Sequence, residues 1–188
     1  TGQLLDADWS RLTDASGKLA DLPVWIDDSQ GLSVADLRAK ARRHKRQYGL
    51  DLLAIDYLQL MRTPRADRHD LAVGEITRSL KGLAKELSVP VVCLSQLSRD
   101  LERRTDKRPI MADLRESGAI EQDADVILFP YREAVYCEAC KQGTCEIAHH
   151  QRRAEIIIGK QRNGPTGSVK LLWAAEHSRF YDFDERGD

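Results

Sequence analysis

The chain has 188 residues, 41% of them hydrophobic and 31% charged, with a formal net charge of -1. That length suits one domain with a single core, the mixture is that of an ordinary globular protein, and the near-neutral balance excludes a uniformly basic nucleic-acid binder. No apolar run is long enough to span a bilayer, and no basic-then-apolar start reads as a signal peptide. Local basic clusters remain at Arg38–Arg46, at Arg99–Arg108, and at Lys160 with Arg162. The first falls on a predicted helix and reads as a solvated face.

In chain order, Pro23 to Ile26 predicts a short strand that turns at Asp27 and Asp28. Ser33 is a good N-cap for a helix running to Tyr48, with Gly49 as its stop. Leu52 to Ile55 is a short apolar run suited to a strand buried on both faces of a parallel sheet. Residues 62–70 are polar and contain a proline, so they read as an exposed loop. Leu71 to Leu87 has helical periodicity, with Ile76, Leu80, Leu83 and Leu87 on one face. Pro90 to Leu94 predicts another buried strand, in which Cys93 reads as a small hydrophobe. Residues 98–117 are mostly charged, with a loop at Arg108-Pro109. Asp125–Phe129, Ala154–Ile158, Ser168–Trp173 and Phe180–Phe183 are further strand candidates, and Gly164-Pro165 turns between the second and third of these. Strands alternating with helices predict an α/β fold: a parallel sheet flanked by helices, extended by an antiparallel edge.

Chemistry concentrates at the strand ends. Asp56 follows the run LLAI, where a strand leaves the sheet and where ligands of open α/β sheets gather. It reads either as a magnesium-holding carboxylate or as a capping residue after a core strand. Gln96 ends the next strand in VVCLSQL, as a γ-phosphate or water contact or as a cap. Lys160 and Arg162 lie two apart, so on an extended segment they point the same way. They suit stabilisation of phosphoryl charge, or simply a basic sheet edge that deters aggregation. In YCEACKQGTCEIAHHQRR, Cys137, Cys140, Cys145 and His150 have zinc-knuckle-like spacing with the last two ligand types exchanged, and Gly143 supplies a turn. His149 is an equal candidate for the fourth ligand. A structural Zn2+ site and a cysteine-bearing surface loop are the two readings. A reducing compartment is expected, so disulfides are not.

The segments IDYLQLM, LAKELSVPVVCLSQLSRDLERR, DLRESGAIEQDADVILF and EIIIGKQRNGPTG together resemble the bacterial DnaB-type replicative helicases. The resemblance extends over nearly the whole chain, from TGQLLDADW to SRFYDF. It implies a RecA-like ATPase domain working as a homo-hexamer around single-stranded DNA in the bacterial cytoplasm, associated with the nucleoid and not with membranes, with ATP and Mg2+ as cofactors and a primase and a helicase loader as partners. By that resemblance Asp56 is the Walker B carboxylate that holds Mg2+ through water, and Gln96 is the γ-phosphate sensor. Lys160 and Arg162 would reach a neighbouring subunit's ATP. DLRESG would be a DNA-binding loop, with Arg115, Glu116 and Gly118 at the DNA backbone and Glu116 orienting Arg115 or a neighbouring loop. A surface ion pair is the plain reading of Arg115 and Glu116.

The sequence contains no G-x-x-x-x-G-K-S/T phosphate-binding loop. The expectation is therefore a partial RecA-like domain over residues 1–188, carrying a Cys/His-rich loop at 136–153 and inactive by itself, whose full-length protein is the enzyme. The alternatives are a non-catalytic DNA- or protein-binding module, or another RecA-like ATPase.

Overall fold

The computed structural model describes residues 5–62, 69–114, 117–147 and 150–183. The chain divides into two compact units, Thr1–Gln30 and Gly31–Asp188. The first carries helix α1 (Asp6–Ala20). Its start is closed by the Leu5 backbone N–H donating to the Asp8 carboxylate at 3.0 Å, which satisfies one amide that the helix itself cannot. The predicted strand Pro23–Ile26 does not form. Residues 24–29 are irregular, and no described strand pairs with them. An extended segment becomes a strand only by exchanging ladder hydrogen bonds with a neighbour, and Ile26 stays 90% exposed.

In the second unit, helix α2 (Val34–Tyr48) begins and ends as predicted. Ser33 Oγ accepts from the Asp36 N–H at 3.1 Å, the Asp36 carboxylate turns back to Ser33, and Gly49 closes the helix at φ +84°. Strand β1 (Leu53–Ile55), helix α3 (His69–Leu87) and strand β2 (Val91–Cys93) follow. The two strands pair in parallel, with Leu53, Ala54 and Ile55 opposite Val91, Val92 and Cys93. After helix α4 (Ser117–Asp123), strands β3 (Val126–Tyr131), β4 (Arg153–Gln161), β5 (Gly167–Ala174) and β6 (Arg179–Asp182) form an antiparallel sheet in sequence order. The short helix α5 (Glu138–Gln142) lies in the β3–β4 connection. The parallel and antiparallel parts are thus two sheets, joined through the core rather than by a ladder.

Helix α3 organises that core. Val73, Ile76 and Leu80 enter a cluster with Leu58, Leu114, Ile120, Ile127 and Phe129, while Leu83 and Leu87 enter a second with Ala41 and Val89. This is the stripe that its periodicity predicts, and Leu83 is fully buried. Its polar side chains tie down the neighbours. Glu86 pairs with Arg38 (2.6 Å) and Arg42 of α2, Thr77 donates to Asp123 at 2.5 Å, and Lys81 pairs with Asp125. The basic face of α2, read as merely solvated, is therefore partly spent on α3.

The expectation that β1 and β2 are buried on both faces is not met. One face packs on the core through Ile55 and Cys93, and burial pushes the Cys93 thiol up to about 11. The other leaves Leu52, Val92 and Leu94 about half exposed. The alternation follows from the two-residue period of a strand when only one side has a layer to pack on.

Gly159 of β4 is held to glycine by space: a Cβ there would lie 2.5 Å from Phe129 Cε2 and 3.1 Å from Met111 Sδ. Gly82, mid-way along α3, has nothing within 4 Å of the same position. Gly159→Ala should therefore destabilise the protein by about 1–3 kcal/mol through overpacking. Gly82→Ala should stabilise it by about 0.5–1 kcal/mol through helix propensity. Denaturant midpoints of the two variants will shift in opposite directions if this packing is right, and a neutral Gly159→Ala would contradict it.

Candidate functional site

Parallel pairing decides where two of the candidate residues go. Because β1 and β2 run the same way with Ile55 opposite Cys93, Asp56 and Gln96 both leave the sheet at the same end. The pairing continues past the strands, with the Leu94 N–H donating to Ile55 O and the Leu58 N–H donating to Leu94 O, both at 2.9 Å. Asp56 and Gln96 are exposed there. Gln59, which sequence reasoning passed over, bridges the two segments. Its Nε2 donates to Ser95 Oγ at 3.0 Å and its Oε1 accepts from the Gln96 backbone N–H at 3.2 Å. The signal was available in IDYLQLM: a carboxamide three residues past Asp56, on a turn that must face the neighbouring strand end. An exposed carboxylate and an exposed carboxamide at the same sheet end suit a hydrated Mg2+ and a polar contact to phosphate.

The segment after Gln96 leads to the predicted DNA loop. Leu97 and Leu114 form an isolated antiparallel bridge, and the Ser98 N–H donates to Asp113 O at 2.7 Å. Buried Asp113 is satisfied by Arg104, at 3.1 Å to each carboxylate oxygen, and by the Ile110 N–H. Arg115 and Glu116 lie outside the described residues. Gly118 falls in the first turn of α4 and is exposed, with nothing within 4 Å of a Cβ built on it. Packing within the described residues does not demand a glycine there.

Lys160 and Arg162 do share a direction, and they meet the other end of α4. Lys160 Nζ donates to Glu121 O and, at 3.5 Å, to Gln122 O; Arg162 Nη2 donates to Gln122 O at 3.4 Å. Cations at the closing carbonyls of a helix complement its dipole. Arg162 also lies 3.5 Å from Asp125, whose carboxyl is held below the usual carboxylate range chiefly by its hydrogen bond from Lys81, with Arg162 and Lys160 adding charge. Each of the two cations therefore rests on its own chain, at a partly exposed position, through contacts of modest strength.

The cysteine loop is gathered into a cluster. One ligand atom from each of Cys137, Cys140, Cys145 and His150 lies within 4.8 Å of every other. His150 Nδ1 is 3.2 Å from Cys140 Sγ and 3.3 Å from Cys145 Sγ. Gly143, at φ +74°, closes α5 as the sequence predicts, and Cys140 and His150 are buried. The Cys140 backbone N–H holds the Cys137 thiol below its usual value, while burial and the adjoining sulfurs push Cys140 up to about 12. His149, the alternative ligand, lies outside the described residues. Ligands of a tetrahedral zinc ion sit about 2.0–2.3 Å from the metal, so neighbouring ligand atoms on that shell lie about 3.3–3.8 Å apart; the two His150–sulfur distances match that spacing, and the widest separation in the set stays within 4.8 Å. The donor set fits zinc.

Comparison with known proteins gives these sites a context. The family model described as DnaB-like helicase C terminal domain matches residues 1–182. The replicative DNA helicase DnaB of Pasteurella multocida (strain Pm70) is 53% identical over the whole of this chain, which covers 39% of that protein. The replicative DNA helicase DnaB of Geobacillus stearothermophilus is 46% identical, again over the whole chain and 40% of its own length. The chain thus spans about two fifths of the length of these relatives. A solved structure titled "The Structure Of A DnaB-Like Replicative Helicase And Its Interactions With Primase" superposes with a TM-score of 0.85 at 39% identity, over 97% of this chain and 44% of that one. The RecA-like α/β class expected from the sequence is borne out by that match.

The ranking of charges around Asp125 can be checked directly. Lys81→Ala should raise the Asp125 pKa toward the ordinary carboxylate value, and Arg162→Ala should raise it less, both read by carboxyl-detected NMR titration. Because the folded-state pKa is depressed, the stability this carboxylate contributes is present above its unfolded value and lost as pH falls through the folded one. A larger rise in Arg162→Ala than in Lys81→Ala would overturn the arrangement.

Proposed function

This chain belongs to the family of DnaB-like helicase C-terminal domains, and on that premise we propose that it is the later part of the ATPase domain of a hexameric replicative helicase. The whole protein would couple ATP hydrolysis to translocation on single-stranded DNA and to duplex unwinding. The observation that supports the reading is the parallel register of β1 and β2, by which the segments carrying Asp56 and Gln96 leave the sheet at the same end. The cofactors are ATP and Mg2+, with Zn2+ as the ion suited to the Cys/His cluster. Bound Mg2+ neutralises charge on the β- and γ-phosphates. Asp56 holds that ion through water, and Gln96 reports the γ-phosphate, with Gln59 fixing the backbone that carries it. The partners are single-stranded DNA, five further copies of the chain, a primase and a helicase loader, in the bacterial cytoplasm.

Lys160 and Arg162 are the residues we assign to a neighbouring subunit's ATP. In this reading they leave the α4 carbonyls and bind phosphate across the subunit boundary. An exposed arginine whose partners are single carbonyls and a 3.5 Å carboxylate can make that exchange at little cost. DNA contact is assigned to Arg115, Glu116 and Gly118. For Gly118 the support is its exposure and the absence, among the described residues, of any atom within 4 Å of a Cβ built on it, so that a nucleic-acid backbone can approach.

Arg162→Ala in the full-length protein should lower ATP hydrolysis by about 10³–10⁵ while nucleotide binding by the same subunit persists. Rings mixed from Arg162→Ala and Asp56→Asn subunits should regain part of the hydrolysis, because an intact pocket of the first meets an intact arginine wherever the second is the neighbour that supplies it. Absence of rescue in mixed rings would place Arg162 in cis and refute the assignment.

Arg115→Ala should weaken single-stranded DNA binding without sequence preference and flatten its salt dependence, since every cation withdrawn from a single strand's phosphates takes about 0.7 off the slope. Unwinding should fall further than basal hydrolysis. Filter binding over a salt series measures the first effect, and an unchanged slope would remove this residue from the DNA interface.

A further inference from the structure

We propose that Cys137, Cys140, Cys145 and His150 form a closed structural zinc centre in which Nδ1 is the histidine's ligand atom and Glu133 orients the imidazole from behind. The inference rests on the zinc assignment made with the proposed function. To it are added the ligand atoms, the orienting partner and the part the ion plays in the fold.

The imidazole settles which nitrogen faces the metal. Nδ1 points into the sulfur cluster, at 3.2 and 3.3 Å from Cys140 and Cys145. Nε2 points away, is buried, and makes no well-formed hydrogen bond among the described residues. The acceptor beside it is Glu133 Oε2 at 3.5 Å, just beyond good geometry. A metal on Nδ1 fixes the tautomer, puts the proton on Nε2 and directs it at that carboxylate. Metal-bound histidines usually donate their other N–H to a carboxylate, a carbonyl or water. The two nitrogens therefore have the surroundings of a ligand and of its outer hydrogen bond.

Hydrogen-bonded turns among the described residues bring the thiols together. The Cys137-x-x-Cys140 pair sits at the start of α5, where the Lys141 N–H donates to Cys137 O at 3.1 Å. Gly143 reverses the chain, the Thr144 N–H returns to Ala139 O at 2.8 Å, and Cys145 comes back beside the pair. Gln151 Nε2 donates to Cys140 O at 3.2 Å and closes the far end. Four protein ligands leave no open position, which marks a structural site rather than a catalytic one. Thiolate and imidazole donors select zinc over magnesium or calcium.

The centre's work is to substitute for a core. Of the described residues between Arg132 and Arg152, those that are buried are Ala134, Cys140 and His150. Three small or polar side chains bury too little apolar surface to order so long a connection between paired strands. An ion bound by four of its residues can, because metal binding to a site that exists only in the folded form is folding free energy.

The test uses the full-length protein, purified without chelator and assayed for zinc, then stripped of metal, freed of the stripping agent, and titrated with zinc chloride and, separately, cobalt chloride. The expected results are about one zinc per chain by mass spectrometry and a tetrahedral cobalt spectrum with thiolate charge-transfer bands. Cys137→Ser and His150→Ala should lose both signals, while Cys93→Ser keeps them. Glu133→Gln should retain the stoichiometry but bind zinc about 10–100-fold more weakly in competition with a chelating dye. Stripping the metal should open the 136–152 segment to proteolysis and leave the β4–β5 hairpin protected. A protein that takes up neither ion would refute the zinc reading itself. Zinc bound by Glu133→Gln at the parental affinity would refute the orienting role and leave the four ligands standing, and a segment equally protected with and without metal would refute the structural role.

Discussion

The apolar stripe of α3 is the contact on which the second unit depends. Five of its residues divide between two buried clusters, so one helix is the shared wall of both. The β1–β2 pair reaches the cores through Leu53, Ile55 and Cys93, α2 reaches them through Leu37 and Ala41, and the antiparallel sheet through Ile127 and Phe129. Polar groups on the same helix then tie its neighbours, Glu86 on α2, Thr77 on the last residue of α4 and Lys81 on Asp125, two residues beyond it. Loss of a large side chain from this stripe acts on every layer at once, as expected when burial is concentrated in one element.

Helix α4 occupies the position where the candidate sites converge. Its approach is tied by Leu114 to Leu97, the residue after Gln96, and its last carbonyls carry Lys160 and Arg162. The strand-end chemistry and the cation pair are therefore connected through one short helix and the segment before it.

The legible parts of the sequence were those with a local cause. Ser33 and Gly49 carry their capping chemistry with them, the 3.6-residue stripe of α3 is a property of its own segment, and the β4–β5 hairpin is announced by Gly164-Pro165. What escaped depends on residues distant in sequence. VWI at 24–26 has strand composition, but a ladder needs a partner that the segment cannot specify. The half-burial of β1 and β2 depends likewise on what lies over them, and the Gln59 bridge on the register of two strands. At the candidate sites, spacing alone gave the common direction of Lys160 and Arg162 and the three crowded cysteines, with His149 and His150 left equal as the fourth ligand. It could not show that the two cations rest on α4 or that Glu133 stands behind His150, since both facts come from the way β3 and β4 pair.

The uncovered face of the β1–β2 pair has a calorimetric meaning. Unfolding raises the heat capacity by about 12–15 cal/mol/K per residue in ordinary domains, because apolar surface passes from the interior into water. Leu52, Val92 and Leu94 are about half in water already, so they add less to that increment than buried leucines and valines do. A chain in this state has a flatter stability curve than its length implies, and cooling weakens it less steeply. Any layer that comes to cover this face steepens the curve, and the change in heat capacity on assembly measures how much of the face has been closed.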